Sequence, residues 1–217
     1  EQRSILLKGR AVSENMILLV NDLLDVTRIE EGRFGYEFAS YDFKIFLERI
    51  AELIHLDIEK KKIVFSLVVA GNLPLLLFDI EKLRIAFFNI LENAINYTPE
   101  GGTIAVRAGW HNDMVEVIVT DTGIGIPPHD MGRLFTRFFR GSNTASLQIG
   151  GSGLGLFLAR SILLAHGGDV KITSTVGVGT TVTLLLPVNS SKIPSRPREG
   201  NARRNTTAPG FGDTLLS

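Results

Sequence analysis

Apolar positions in the first thirty residues recur in sevens: Ile5, Val12, Leu19 and Val26, with Met16 and Leu23 four residues after Val12 and Leu19. That is the a/d seam of one long helix from Gln2 to about Glu31, interrupted by Gly9 at a d position and widened by Leu6, Leu18 and Leu24. Such a stripe either packs on its own domain or joins a bundle with other helices, and the regular sevenfold spacing favours the bundle. Gly32 ends the helix, with Arg28 in its last turn.

From Phe34 the pattern shortens. Tyr36–Phe38 is a short strand candidate, and Phe43, Phe46, Leu47, Ile50, Leu53, Ile54 and Ile58 have helical spacing up to the basic run Lys60–Lys62. His55 falls within this predicted core helix. Ile63–Val69 is rich in β-formers and stops at Gly71-Asn72; Leu75–Phe78 is another short strand. Asp79 is a good N-cap for a helix over Ile80–Tyr97, which ends at the turn Thr98-Pro99-Glu100-Gly101-Gly102. Thr103–Trp110 and Met114–Asp121 form a hairpin across His111-Asn112-Asp113. The stretch from Thr122 to Ser152 holds only a short helical piece near Asp130–Phe135. A helix over Leu154–His166 follows, with His166 at its end as a cap, and then a closing hairpin of Asp169–Ser174 and Thr180–Pro187. These elements predict an α/β fold: a two-layer α/β sandwich, a mixed sheet with helices on one face, preceded by one long amphipathic helix.

Composition narrows the function. At 44% hydrophobic and 21% charged, the 217 residues have the make-up of a packed protein rather than a disordered one. Lys plus Arg equals Asp plus Glu at 23 each, so no global basic field points to a nucleic-acid partner. The absence of cysteine excludes a disulfide framework, a thiolate metal site and a cysteine nucleophile. No apolar run approaches the roughly 18 residues needed to cross a bilayer, so any membrane link is expected outside these residues. After Val188, Ser, Pro, Arg, Asn and Gly dominate, and residues 189–217 carry five Lys/Arg against two acids. That segment reads as a flexible tail or linker, giving the division 1–32, 33–188 and 189–217.

Four short constellations carry the candidate chemistry. In Asn89-Ile90-Leu91-Glu92-Asn93-Ala94-Ile95-Asn96-Tyr97, three asparagines lie along one side of a helix whose other side is Ile85, Phe88, Leu91 and Ile95. Asparagine is a poor helix former, and its neutral amide oxygen is a good Mg²⁺ ligand where phosphates supply the negative charge. Asp121-Thr122-Gly123-Ile124-Gly125-Ile126-Pro127 follows a strand directly. A carboxylate there can accept from an exocyclic amine, and the glycines let a flat ring approach. Gly150-Gly151-Ser152-Gly153-Leu154-Gly155-Leu156 opens a helix, where glycine-freed N–H groups suit a polyphosphate. It follows a long loop rather than a strand and lacks the Walker lysine, so neither a dinucleotide fingerprint nor a P-loop fits. Between them, Leu134-Phe135-Thr136-Arg137-Phe138-Phe139-Arg140-Gly141 puts three phenylalanines in a loop, where they need to dock. Arg137 and Arg140 are then either solvated or within reach of phosphate oxygens.

In this order and spacing the four segments resemble the ATP-binding catalytic domain of bacterial sensor histidine kinases, within the wider gyrase, Hsp90, histidine kinase and MutL superfamily with its Bergerat-type fold. The resemblance covers about Gly32 to Val188. Met16 to Gly32 is similar to the second helix of that family's dimerization and phosphoacceptor hairpin. The resemblance implies ATP and Mg²⁺ as cofactors, with Asn93 on the metal and Asn89 close by. It implies Tyr97 beside the adenine, Asp121 accepting from the adenine amine, and Gly123, Gly125 and Ile126 shaping the pocket. Thr181 would support Asp121 through water. Arg137 and Arg140 belong to the phenylalanine box, and Gly151, Gly153, Leu154 and Gly155 meet the phosphates under a mobile lid over about Pro128–Gly150. Asn96 departs from the pattern, standing where many members carry Lys or Arg.

The implied reaction moves the γ-phosphoryl group of ATP to a histidine and then to a response regulator receiver domain. None of His55, His111, His129 and His166 has an acceptor's context, so the phosphoacceptor helix is expected upstream of these residues, with a homodimer forming through the N-terminal helix. The expected setting is the cytosolic part of a sensor. Hydrolysing relatives activate water with a Glu four residues before the metal-binding Asn; Asn89 is a poor base there, while Glu92 stands ready to polarise an incoming histidine. Two other readings remain: a degenerate nucleotide-binding module acting through the N-terminal helix, and a gyrase- or chaperone-type ATPase.

Overall fold

The computed structural model describes residues 2–71, 73–144 and 151–188. Helix α1 spans Gln2–Glu30 and turns at Gly32, whose φ of +66° suits glycine. Strand β1 (Ala39–Asp42) pairs antiparallel with β3 (Leu75–Phe78) in a small separate sheet. Helix α2 (Phe43–Lys60) starts where Asp42 accepts from the N–H groups of Lys44 and Ile45, and α3 (Ile80–Tyr97) starts where Asp79 accepts from Lys82. The main sheet has the order β2-β4-β5-β7-β6, from β2 (Val64–Val69), β4 (Thr103–His111), β5 (Met114–Asp121), β6 (Asp169–Thr175) and β7 (Gly179–Pro187). Only the β2–β4 pair is parallel. Asn112 and Asp113, both at positive φ, make the tight β4–β5 turn. Helix α4 spans Gly155–Ala165, and a 3₁₀ turn covers Pro128–Arg133.

Period-two alternation covers one face of the sheet. Val115, Val117 and Val119 are buried under the helices while Glu116 and Thr120 stay exposed. The layer above holds Phe43, Phe46, Leu47, Ile50, Ile54 and Ile58 of α2 with Leu83, Ala86, Phe87, Ile90 and Ala94 of α3. Three expectations shift here. Leu53 (55% exposed) and Phe88 (36%) point outward, because the buried stripes run through Ile50–Ile54 and Phe87–Ile90–Ala94. His55 is exposed and paired with Glu59 at 3.1 Å. Tyr36–Phe38 forms no strand: the Glu37 N–H donates to Asp79 Oδ2 at 2.7 Å, and both rings pack on His166 instead.

His166 is a buried clamp rather than a solvent-facing cap. Its Nε2 accepts from the Asp79 N–H at 3.0 Å and its Nδ1 donates to the Ile162 carbonyl at 2.7 Å, joining the start of α3 to the end of α4. Those two partners fix a neutral ring, and burial accordingly pushes its pKa down.

The N-terminal seam divides between its two readings. Val26 is buried against Leu154 and Leu158, with Ile29 and Phe157 alongside, so the last turns of α1 pack on the domain. Met16, Leu19 and Leu23 remain exposed, as do Ile17, Val20 and Leu24. The side chains of Ile5, Leu6, Val12 and Leu18, residues 145–150 of the expected lid, and the tail 189–217 lie outside the described residues.

Candidate functional site

Asp121 is the last inward-facing position of β5, two residues beyond Val119, and parity therefore carries a carboxylate into the layer that its predecessors fill with valine. It is 8% exposed. Both backbone donors land on one oxygen: Oδ1 accepts from the N–H of Gly123 at 2.8 Å and of Thr180 at 3.2 Å. Oδ2 has no hydrogen bond within the described residues and is the open acceptor. Burial pushes the carboxyl pKa up, and the two N–H groups oppose that shift.

The turn after Asp121 is fixed from three sides. The Ile124 N–H donates to the Tyr97 carbonyl at 3.2 Å, the Gly177 N–H to the Ile124 carbonyl at 2.9 Å, and the Ile126 N–H to Ser174 Oγ at 2.9 Å. Ser174 gives its own proton to the Gly179 carbonyl, so the Thr180 hydroxyl donates to Ser174. A Cβ at Gly123 would sit 2.7 Å from Asp121 Oδ1 and the Tyr97 carbonyl, and one at Gly125 would overlap the Thr175 carbonyl. Glycine is required at both.

Thr181 is a correction. The β5–β7 register sets Thr180 opposite Asp121 and Thr181 opposite Thr120, and the Thr181 hydroxyl pairs with that of Thr120 at 3.2 Å. Thr181 thus projects from the other face of the sheet, and Thr180 with Ser174 takes the supporting place beside Asp121.

Along α3, Asn89, Asn93, Asn96 and Tyr97 line a half-buried face. The Asn89 amide donates to the Ile85 carbonyl at 2.9 Å, and its oxygen abuts Gly155 where a Cβ would stand. Asn93 makes no side-chain hydrogen bond within the described residues, which leaves its amide oxygen available. Tyr97 has its phenol pKa raised by burial, with the nearby charge of Arg140 pulling it the other way. Glu92 lies on the outer side of α3: desolvation raises its carboxyl pKa, and the charges of Asp22 and then Asp57 add to the shift.

Lys61 is a positioning residue that sequence reasoning missed. Its ammonium donates to the carbonyls of Ile95 (2.7 Å), Asn96 (2.9 Å) and Thr98 (3.0 Å), tying down the helix end that carries Tyr97. Desolvation lowers its pKa. Its only trace in the sequence is membership of the run Lys60–Lys62.

The opposite end of the cleft is made of loops. Gly153, at φ +70°, lies where a Cβ would be 2.7 Å from the Phe138 backbone, and Leu154 is fully buried at the start of α4. Ser152 Oγ accepts from the Leu154 N–H at 3.1 Å and donates to Asp22 of α1 at 2.8 Å. Two of the three loop phenylalanines dock: Phe135 lies under Arg160 and Phe139 under Arg133. Phe138 stays 62% exposed at φ +60°. Arg137 forms an ion pair with Glu30 of α1, so it points away from the cleft, whereas Arg140 lies toward Tyr97. The first part of the lid is anchored: buried Asp130 accepts from the N–H and hydroxyl of Ser142, which holds its carboxyl below the usual range, and Asn143 donates to the Gly125 carbonyl at 2.9 Å.

The four segments therefore converge along α3, through Ile124–Tyr97, Gly125–Asn143, Gly153–Phe138 and Gly155–Asn89. Among the described residues no group of three or more His, Asp or Glu side chains could hold a metal. A divalent ion here would need ligands from a bound phosphate chain, which is the setting that suits a neutral amide such as Asn93.

Residues 78–190 match the family model for histidine kinase-, DNA gyrase B-, and HSP90-like ATPases, more than half of the chain. This chain belongs to that family. It is 34% identical over 182 residues to the non-motile and phage-resistance protein of Caulobacter vibrioides, covering 82% of this chain and 22% of that one. It is 33% identical over 181 residues to the sensor histidine kinase WalK of Bacillus subtilis, covering 81% and 29%. The chain thus spans about a quarter of the length of these curated relatives. Full-length ShkA, solved in complex with AMPPNP, aligns with a TM-score of 0.75 at 29% identity, covering 86% of this chain and 39% of that one. The nucleotide-free catalytic domain of the histidine kinase ThkA aligns with a TM-score of 0.62 at 24% identity, covering 72% and 99%, and shares the fold. No helix among the described residues is long and apolar enough to cross a membrane.

Proposed function

We propose that residues 33–188 bind Mg·ATP and serve as the catalytic domain of a sensor histidine kinase, handing the γ-phosphoryl group to a histidine on a helix outside this chain, for relay to a response regulator receiver domain. The observation that carries this reading is Asp121: Oδ1 is saturated by two backbone donors and Oδ2 is left open. That arrangement fits an exocyclic amine, and the close packing of Gly123 on Tyr97 and of Gly125 on Thr175 holds the turn that carries the carboxylate. Tyr97 would pack on the ring. Asn93 would ligate the metal with Asn89 next to it, and the N–H groups of 151–155 would receive phosphate oxygens. The bound metal would neutralise charge on the phosphates, while the chain supplies positioning. Arg140 would face the nucleotide. Glu92 would polarise the incoming histidine.

Hydrolysis is the weaker reading, because Asn89 donates to its own helix at Ile85 and carries no basic group. Met16, Leu19 and Leu23 of the seam, exposed along α1, support a homodimer through this helix. Two experiments test the proposal. Calorimetric titration should give one Mg·ATP per chain, and labelled phosphate should appear on an added phosphoacceptor hairpin. Binding without transfer would leave a nucleotide-binding module, and steady phosphate release in place of transfer would mark an ATPase.

A further inference from the structure

Strand β2 closes one end of the main sheet, and no strand pairs with its outer side among the described residues. The N–H groups of Val64 and Ala70 donate to the Gly102 and Ala108 carbonyls on the β4 side. By alternation, the peptide groups of Phe65, Leu67 and Val69 point away from the sheet and leave their donors and acceptors at a free edge. Folded proteins commonly blunt such an edge with lysine, proline or a bulge. The opposite edge follows that rule, since Lys171 stands exposed in the middle of β6. Strand β2 does not: it reads Val-Phe-Ser-Leu-Val-Val, and no charged residue lies between Lys62 and Asp79. Both of its faces are apolar. Val64 is 62% and Val68 56% exposed on the solvent face, while the half-buried Phe65 and Leu67 line an apolar crevice with Leu47, Ile50 and Ala51 of α2.

We infer that β2 is the docking edge for a second copy of this chain, the two β2 strands pairing antiparallel about a two-fold axis at Leu67. The edge is complementary to itself in that register. Its outward-pointing residues bond as Leu67 with the partner's Leu67 and Phe65 with the partner's Val69, so each free N–H meets a free carbonyl. On the solvent face, Ser66 stands opposite the partner's Val68. Every cross-strand pair joins apolar or small side chains, and no like charges meet. The contact is isologous, so it closes as a pair, with the two five-stranded sheets running on as one. It is also remote from α1, which packs on α4 over β6 and β7, whereas β2 lies under α2 at the other end of the sheet. Association through α1 and through β2 therefore do not compete, and used together they join molecules into larger assemblies. The edge contact is independent of the nucleotide reading.

Two measurements on the whole chain test this. Ser66 and Val68 are exposed and face each other across the axis, so charges placed there report the register without touching the core. Ser66→Lys/Val68→Lys sets lysine against lysine on both sides of the axis. In sedimentation equilibrium over a concentration series it should weaken the β2-mediated association about tenfold or more. Ser66→Glu/Val68→Lys sets glutamate against lysine at the same places and should restore association to within about twofold of the wild type. A dimer through α1 is common to all three proteins and leaves that ranking unchanged. The second measurement is amide hydrogen exchange of the wild type. The N–H groups of Phe65, Leu67 and Val69 should exchange more slowly as concentration rises, while those of Val64, Ser66 and Val68, already turned to β4, stay as they were. Equal association by all three proteins, loss of association in both charged variants, or exchange at Phe65, Leu67 and Val69 that ignores concentration overturns the pairing with a second copy.

Discussion

Around Asp121 the polar contacts come from the sheet and its turns: Gly123, Thr180, Ser174 and the Tyr97 carbonyl. Around Ser152 and Arg137 they come from Asp22 and Glu30, more than a hundred residues earlier on a separate helix. One side of the cleft is thus held by hydrogen bonds internal to the fold, so it is organised before any ligand arrives. The other side takes its present form from a helix that packs through Val26 and Ile29. The two sides therefore differ in what holds them: the ladder and turns of the sheet on one, contacts with α1 on the other.

The largest expected effect comes from a pair of glycines on opposite sides. A Cβ at Gly179 (φ +142°) would overlap the Asp121 carbonyl oxygen, whereas one at Gly151 (φ +151°) meets nothing within 4 Å. Gly179→Ala should cost about 3 kcal/mol or more and lower the melting temperature by about 10 °C, against about 1 kcal/mol of backbone strain for Gly151→Ala. Similar losses in thermal melts of the two variants would erase the contrast. Next, Asp121→Asn should weaken Mg·ATP about 100-fold, because a neutral amide now presents a donor to the ligand's amine. Its fold should persist, as shown by an unchanged circular dichroism spectrum.

On the phosphate side, Asn93→Ala should weaken binding about tenfold with Mg²⁺ and leave metal-free binding unchanged. An equal loss with and without the ion would mean that Asn93 packs rather than ligates. The mildest effect concerns the body's own clamp. Because His166 is held neutral and its pKa is lowered, the unfolded chain takes up the proton first as pH falls. The stability from His166 is therefore complete above its ordinary value near 6.5 and is lost as pH drops below it. Denaturant melts from pH 8 to 5.5 should show this decline. His166→Gln should flatten it while costing about 1 kcal/mol at pH 8 through the lost Asp79 bond.

Much of this was legible in the sequence. The cap Asp79 and the apolar spacings marked out α3 and α2, and Asp121 stood out by its place directly after a strand and ahead of two glycines. What escaped was tertiary. Choosing between Thr180 and Thr181 needs the β5–β7 register, since a one-residue shift reverses the face. The Arg137–Glu30 pair, the reach of Lys61 to the α3 carbonyls and the place of Ser174 join segments far apart in the chain, and no local pattern announces them. Tyr36–Phe38 had strand-like residues, but its backbone found Asp79 before it found a neighbouring strand.

The most direct measurement is a crystal structure of the chain with Mg²⁺ and AMPPNP. The account predicts the adenine amine on Asp121 Oδ2, the metal on Asn93, and the phosphates against residues 151–155. A purine bound elsewhere, with Asp121 untouched and the cleft along α3 empty under saturating analogue, would contradict it.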